Sequence, residues 1–161
     1  MSVRPVRPDD VPAVVALVRE LAEYEKAVHE VRLTEEQLTA ALFGDRPALF
    51  GHVAEIEGEV VGIALWFLNF STWRGSHGVY LEDLYVQPQH RGRGLGKELL
   101  RTLAEVCVER GYSRLEWWVL DWNTPSIDFY KAAGAVPMDE WTVFRLTDDA
   151  LTGFAQDRRT R

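Results

Sequence analysis

The chain has 161 residues, 47% of them hydrophobic and 27% charged, which suits one globular domain over residues 1–161 and excludes a disordered chain. Its net charge of −7 argues against nucleic acid, because phosphate binding needs a basic face, and is compatible with a cationic substrate. A single cysteine, Cys107, excludes an intrachain disulfide, and no Cys/His group has zinc spacing, so no metal is expected.

The start, Met1 to Asp10, is charged and lacks the apolar stretch of a signal peptide. Val3 to Arg7 is expected as a first strand. Asp9 or Asp10 then caps a helix with Pro12 in its first turn, an apolar stripe of Val14, Leu17, Val18, Leu21 and Ala22, and an end near Tyr24. Thr34-Glu35-Glu36-Gln37 fits a capping box for a short second helix through Leu38, Ala41 and Leu42, closed by Gly44. Leu49 to Ile56 and Val60 to Phe70 read as strands flanking a tight turn at Glu57-Gly58-Glu59. Ser71 to Gly78 is expected as a loop and Val79 to Val86 as a strand.

The longest apolar run, Val60 to Leu68, is interrupted by Gly62 and is too short to span a bilayer. With the lone cysteine, this points to a cytoplasmic protein with no membrane partner. A polar glycine-rich turn over Gln87 to Gly96 leads into a helix from about Gly94 to Arg110, with Leu95, Leu99, Leu103 and Val106 inward and Gly111 at its end. Leu115 to Leu120 is read as a strand, Thr124 to about Ala133 as a helix closed by Gly134, and Thr142 to Leu146 as a last strand. The charged tail from Asp157 is expected to fray. The order gives a mixed α/β domain, antiparallel early and with a parallel crossover late.

Gln87-Pro88-Gln89-His90-Arg91-Gly92-Arg93-Gly94-Leu95-Gly96-Lys97 is the most informative stretch. A strand-to-helix turn exposes the first N–H groups of the helix at the positive end of its dipole, and glycines let a phosphate come close. A Walker loop fails here, because Arg91 stands where its first glycine belongs and Glu98 follows Lys97. A Gly-x-Gly-x-x-Gly fingerprint fails too: from Gly92 its third glycine would be Lys97, and from Gly94 it would be Leu99. Arg-x-x-Gly-x-Gly is met by Arg91, Gly94 and Gly96. A purely structural turn is the competing reading.

Glu82 and Asp83 interrupt an apolar strand between Leu81 and Leu84. Successive strand residues face opposite ways, so one carboxylate is expected on an apolar side, where a lone charge is costly. The competing reading is a bulge that lets both reach solvent.

The Arg-x-x-Gly-x-Gly turn is the diphosphate-binding pattern of the GNAT acetyltransferases. From about Val3 to Leu146 the chain resembles the diamine (spermidine/spermine) and thialysine N-acetyltransferases of that superfamily. Further motifs carrying the resemblance are Arg7-Pro8, Leu21-Ala22-Glu23-Tyr24-Glu25, Ser71-Thr72-Trp73-Arg74-Gly75, Tyr80 to Val86, Leu120-Asp121-Trp122-Asn123 and Phe129 to Ala135. The Ser-Thr-Trp and Leu-Asp-Trp-Asn stretches look closer to the thialysine branch.

The resemblance implies a central mixed sheet with helices on both faces and strands splayed around acetyl-CoA. It implies direct acetyl transfer to a primary amine of a small molecule, by a homodimer. Glu82 would bind the amine and help deprotonate it, through water; Tyr130 would protonate the departing thiolate. Leu84, Tyr85 and Val86 would line the pantetheine beside a bulge, and Arg91, Gly92, Arg93, Gly94, Leu95, Gly96 and Lys97 would hold the diphosphate. Asn123, Thr124, Pro125 and Ser126 would also contact the cofactor. Tyr24, Glu25, Trp73, Asp83, Glu116, Trp117 and Trp118 match substrate-side positions, although Trp118 replaces an aliphatic residue of the diamine enzymes and the segment near Asp139-Glu140 is shorter.

Residue by residue, plainer readings stand beside these: packing for Tyr130, Trp117 and Trp118, and a helix cap for Asn123. His29, His52, His77 and His90 read as surface or loop residues, and Cys107 as buried packing. Two other functions compete, a protein lysine or N-terminal acetyltransferase and a non-catalytic acyl-CoA-binding module.

Overall fold

Apolar residues spaced for a helix and for strands dictate two buried faces, and the computed structural model, which describes residues 2–159, builds both. Five strands lie in sequence order in one sheet: β1 (Ser2–Pro5), β2 (Phe50–Ile56), β3 (Glu59–Ser71), β4 (Ser76–Val86) and β5 (Leu115–Trp117). The first four pair antiparallel, and β4 and β5 pair parallel. Helix α1 (Val11–Tyr24) and the short α2 (Glu35–Phe43) cover one face, and α3 (Leu95–Arg110) forms the β4–β5 crossover.

Strand alternation assigns the faces. Ile63 and Leu65 of β3 share a buried cluster with Val14, Leu17 and Leu21 of α1 and Leu38 of α2. Their neighbour Trp66 points the other way and carries Arg110 of α3 over its ring, 5.8 Å from the centroid. Leu95, Leu99, Leu103 and Cys107 are the buried stripe of α3, while Val106 is only half-buried. Each fully buried Leu or Val is worth about 1.5–3 kcal/mol, which holds the helices to the sheet.

Local chemistry sets the joints. Thr34 Oγ accepts from the Gln37 N–H, and the Gln37 side chain accepts from the Thr34 N–H, both at 3.1 Å, as the capping box requires. Glu57 and Gly58 both have positive φ, 50° and 82°, the form of a two-residue hairpin turn matched to strand twist. Gly111 closes α3 with φ 71°.

Asp10 departs from the expected capping role. It sits at the head of α1 without capping it through its side chain. Its carboxylate instead takes two bonds from Arg4, at 2.7 and 3.0 Å, and one from the Arg7 N–H at 2.7 Å. Arg4 holds the Asp10 carboxyl below the usual carboxylate range despite its burial.

The described chain divides into two compact units, one up to Leu120 and the other from Asp121. The second contains α4 (Thr124–Ala132) and α5 (Asp148–Gln156). No strand forms over 142–146, contrary to the expectation there, and Val143, Phe144 and Leu146 are exposed. Strand-forming residues make a strand only where a ladder partner exists, and the described sheet ends at β5. β5 itself stops at Trp117 rather than Leu120. Helix α5, with Asp148 and Asp149 favouring its positive end, was not anticipated. The charged tail is described as far as Arg159; residues 160 and 161 lie outside the described residues, as does Met1.

Candidate active site

The site grows from an irregularity in β4. Leu65 pairs with Asp83 and Trp66 with Leu81, so Glu82 is an extra residue bulged out of the ladder. The parallel pairing with β5 runs from Val79 to Leu81 and ends there, while β4 continues to Val86. Beyond the bulge the strand is therefore laddered on one side only. The bulge expected beside Leu84, Tyr85 and Val86 lies earlier, at Glu82.

The bulge separates the paired acids. Glu82 is exposed and Asp83 is half-buried. Asp83 lies opposite Leu65, hence on the α1 side of the sheet. Burial, then the charges of Glu82 and Glu25, push the Asp83 carboxyl up to about 7. Burial also raises the Glu25 carboxyl, which follows the last residue of α1. Three carboxylates thus share one neighbourhood, a field suited to an ammonium group.

The glycine turn lies where β4 leads into α3. Gly92 and Gly94 take φ of 81° and 82°, a region costly for other residues, and an added Cβ at either would meet open space. Gly94 is the N-cap of α3 and has no side chain to satisfy the first helical N–H groups. Leu95 is buried and anchors the helix start, while Arg93 and Lys97 are exposed and Gly96 is half-buried. An open cradle of positive-φ glycines at a helix N-terminus fits a diphosphate.

Arg91 is held against the strand and α1. Its Nε–H donates to the Val86 carbonyl at 2.9 Å, and its guanidinium carbon lies 5.5 Å from the ring centroids of both Tyr24 and Tyr85. The Tyr85 hydroxyl donates to Glu20 at 3.3 Å, and Gln87 Nε2 donates to the same carboxylate at 3.2 Å. Sequence reasoning gave Glu20 and Gln87 no role at the site; Glu20 lies one helical turn before Tyr24, and that spacing was the available signal.

The aromatic candidates divide. Glu116 and Trp117 lie half-buried on β5, and Asn69 Nδ2 donates to Glu116 at 3.5 Å. Trp118 is exposed and meets Tyr80 edge-on, centroids 5.7 Å apart. Trp73 is 83% exposed in the β3–β4 turn. Glu82 lies six residues along β4 from its start at Ser76, roughly 20 Å at the usual strand rise, so one chain does not bring Trp73 to the acids.

In the second unit, Asn123 is buried and caps α4, its Oδ1 accepting from the Ser126 N–H at 3.3 Å. Thr124 and Pro125 form the exposed first turn. Tyr130 is half-buried late in α4, its ring tilted against Phe129 with centroids 5.6 Å apart.

His52 is not the surface or loop residue expected. It sits half-buried on β2 and accepts from Trp66 Nε1 at 3.2 Å, and burial followed by Arg110 lowers its pKa. His77, exposed on β4, is a surface residue as expected. His90 heads the glycine turn with an enclosed Nδ1 that has no hydrogen-bond partner among the described residues. Among the described residues no cluster of His, Cys, Asp or Glu could hold a metal, and no helix is long and apolar enough to cross a membrane.

Comparison with known proteins matches residues 14–135 to the model of the acetyltransferase (GNAT) family. The chain is 41% identical to a thialysine N-epsilon-acetyltransferase of Bos taurus, covering 96% of this chain and 97% of that one. It is 36% identical to a protein of the same name from Caenorhabditis elegans, over 94% and 95%. An L-ornithine N5-acetyltransferase of Arabidopsis thaliana is 29% identical, over 92% and 85%. In fold, an integron cassette protein of V. cholerae superposes with a TM-score of 0.81 at 24% identity, covering 97% and 98% of the two chains. On this fold and full-length similarity, the chain belongs to the GNAT acetyltransferase family and is an acetyl-CoA-dependent N-acetyltransferase.

Proposed function

We propose that this enzyme acetylates the terminal primary amine of a small lysine-like molecule, with thialysine, ornithine-like amines and polyamines as the class to test. The observation that carries the reading is the group formed by Glu82, Asp83 and Glu25 beside the unpaired edge of β4. Such a cluster is suited to drawing in a cationic amine, and it stands next to the strand segment that suits pantetheine.

An alkylammonium has a pKa of ~10.4, and only the neutral amine attacks a thioester. Exposed at the bulge, Glu82 attracts the ammonium and receives its proton, through water. Asp83 holds the ammonium from the α1 side. Because cation binding favours its charged form, Asp83 releases a proton as the amine binds. The amine nitrogen then bonds to the acetyl carbon, the C–S bond breaks, and the nitrogen gives up one remaining proton to water as the amide forms. Tyr130 gives its hydroxyl proton to the CoA sulfur and recovers one from solvent.

Backbone N–H groups of Leu84 to Val86 are suited to polarise the thioester carbonyl. The turn from Gly92 to Lys97 takes the diphosphate, and Asn123 to Ser126 hold the cofactor further along. Tyr24, Glu116, Trp117 and Trp118 line the amine side.

The working form in this reading is a single catalytic domain in a cytoplasmic homodimer. A partner subunit then offers Trp73 a route to the site that its own chain does not provide. The partners are small amines, not nucleic acid or membrane, in keeping with the net charge of −7.

The test is release of CoA thiol with a panel of amines, run beside Tyr130→Phe. Turnover is expected with thialysine and its relatives, and a drop of about 10²–10⁴-fold in the variant. Unchanged turnover in Tyr130→Phe removes the proton-donor role, and no turnover with any small amine removes the substrate reading. Preference for lysine-bearing peptides would favour a protein acetyltransferase.

A further inference from the structure

We propose that Arg91 is a positioning residue that couples occupancy of the glycine turn to the amine-binding wall at Tyr24 and Glu25. The inference rests on the reading of the site given above, and it assigns Arg91 a task other than neutralising phosphate.

The contacts define a brace. Arg91 immediately precedes Gly92, where φ is 81° and no Cβ restrains the chain. Its Nε–H bond to the Val86 carbonyl folds the start of the turn back onto the end of β4. The guanidinium stacks near two rings at equal distance, Tyr24 from α1 and Tyr85 from β4. Such cation–aromatic contacts hold direction as well as distance, and the planar guanidinium does this better than an ammonium.

A second tie runs in parallel. Glu20 accepts from Tyr85 and from Gln87. The last turn of α1 is thereby fastened to the strand–turn junction at two points one helical turn apart. Glu25 follows Tyr24 directly, and its charge is felt at Asp83. Contacts therefore run from the backbone entering the cradle to Tyr24, and charge carries the link from Glu25 to Asp83.

The consequence is thermodynamic. A diphosphate seated in the turn orders Gly92 to Gly94 and with them the backbone of Arg91. The brace passes that order to Tyr24 and Glu25, so the amine meets a wall already arranged. Coupling of this kind is reciprocal: CoA tightens amine binding by the factor with which the amine tightens CoA binding.

Calorimetric titration of thialysine into the full-length enzyme, with and without saturating CoA, measures that factor. The wild type is expected to bind the amine about five- to tenfold more tightly with CoA present. Arg91→Gln is expected to bring the factor close to one while changing amine affinity in the absence of CoA little. Arg91→Lys, which keeps the charge and tests the same point if the glutamine variant does not fold, is expected to lose the coupling too.

The proposal is overturned if the wild type binds both ligands without coupling, or if coupling survives in both variants. It is also overturned if Arg91→Gln only weakens CoA and Arg91→Lys restores it, since Arg91 would then be a phosphate contact. Failure of the wild type to bind the amine in either condition would instead strike the substrate reading.

Discussion

The two halves of β4 obey different rules. From Val79 to Leu81 the strand is laddered on both sides, to β3 and to β5, and Val79 and Leu81 are almost fully buried. From Glu82 to Val86 it is laddered on one side, begins with a bulge, and carries two carboxylates. The first half stabilises the sheet, and the second leaves backbone groups and charges available to small molecules. Burying acids along a satisfied ladder would cost stability; these two stand where the ladder opens.

The sharpest way to break this division is Glu82→Gln. Because Glu82 is exposed, its melting temperature should match the wild type. The value of kcat/KM for the amine should fall about 10²–10⁴-fold. A large loss of stability with activity retained would place Glu82 in the wrong half.

Leu81→Ala probes the other side of the boundary. Leu81 is 2% exposed, and its truncation should cost about 2–5 kcal/mol in denaturant unfolding. The protein that remains folded should keep its KM for acetyl-CoA within a fewfold range. If KM instead rises steeply, the two halves are not separable.

Asp83 gives the smallest effect and the clearest pH signature. Its carboxyl is pushed up to about 7, so it is neutral below that pH and charged above it. The KM for the amine should therefore fall as pH rises through about 7, and Asp83→Asn should flatten the profile with a loss of about tenfold or less above it.

Stability gives an independent sign. The unfolded state loses this proton near 4 and the folded state near 7. Wild-type stability from this group thus declines across that window as pH rises. Asp83→Asn should melt higher than wild type at pH 8 and equally at pH 4.

Much of the framework is legible in the sequence, because its signals are local. The Thr34 capping box, the Glu57-Gly58 turn and the glycine at 111 each depend on a few neighbouring residues, and each appears as expected. Gly92 and Gly94 likewise take positive φ, as a tight glycine turn needs. Signals that depend on a distant partner were harder to read. Residues 142–146 have strand chemistry, but no strand forms over them. Asp10 looked like a cap until Arg4, from the neighbouring strand, took its carboxylate.

At the site, the acid pair was visible as a break in an apolar run, but not which acid would be sheltered. That depends on the bulge, which sets the two on different environments. Arg91 was read by its charge, whereas its contacts are with rings and a carbonyl contributed by β4 and α1.

Cys107 has a bearing on how this enzyme can be followed at the bench. The chain holds one cysteine. Its Sγ is buried in α3 and donates to the Arg114 carbonyl at 3.5 Å, and burial pushes the thiol pKa up. Thiol–disulfide exchange requires an accessible thiolate, so a chromogenic aromatic disulfide added to the folded protein reports the sulfur set free at each turnover, over a flat protein background.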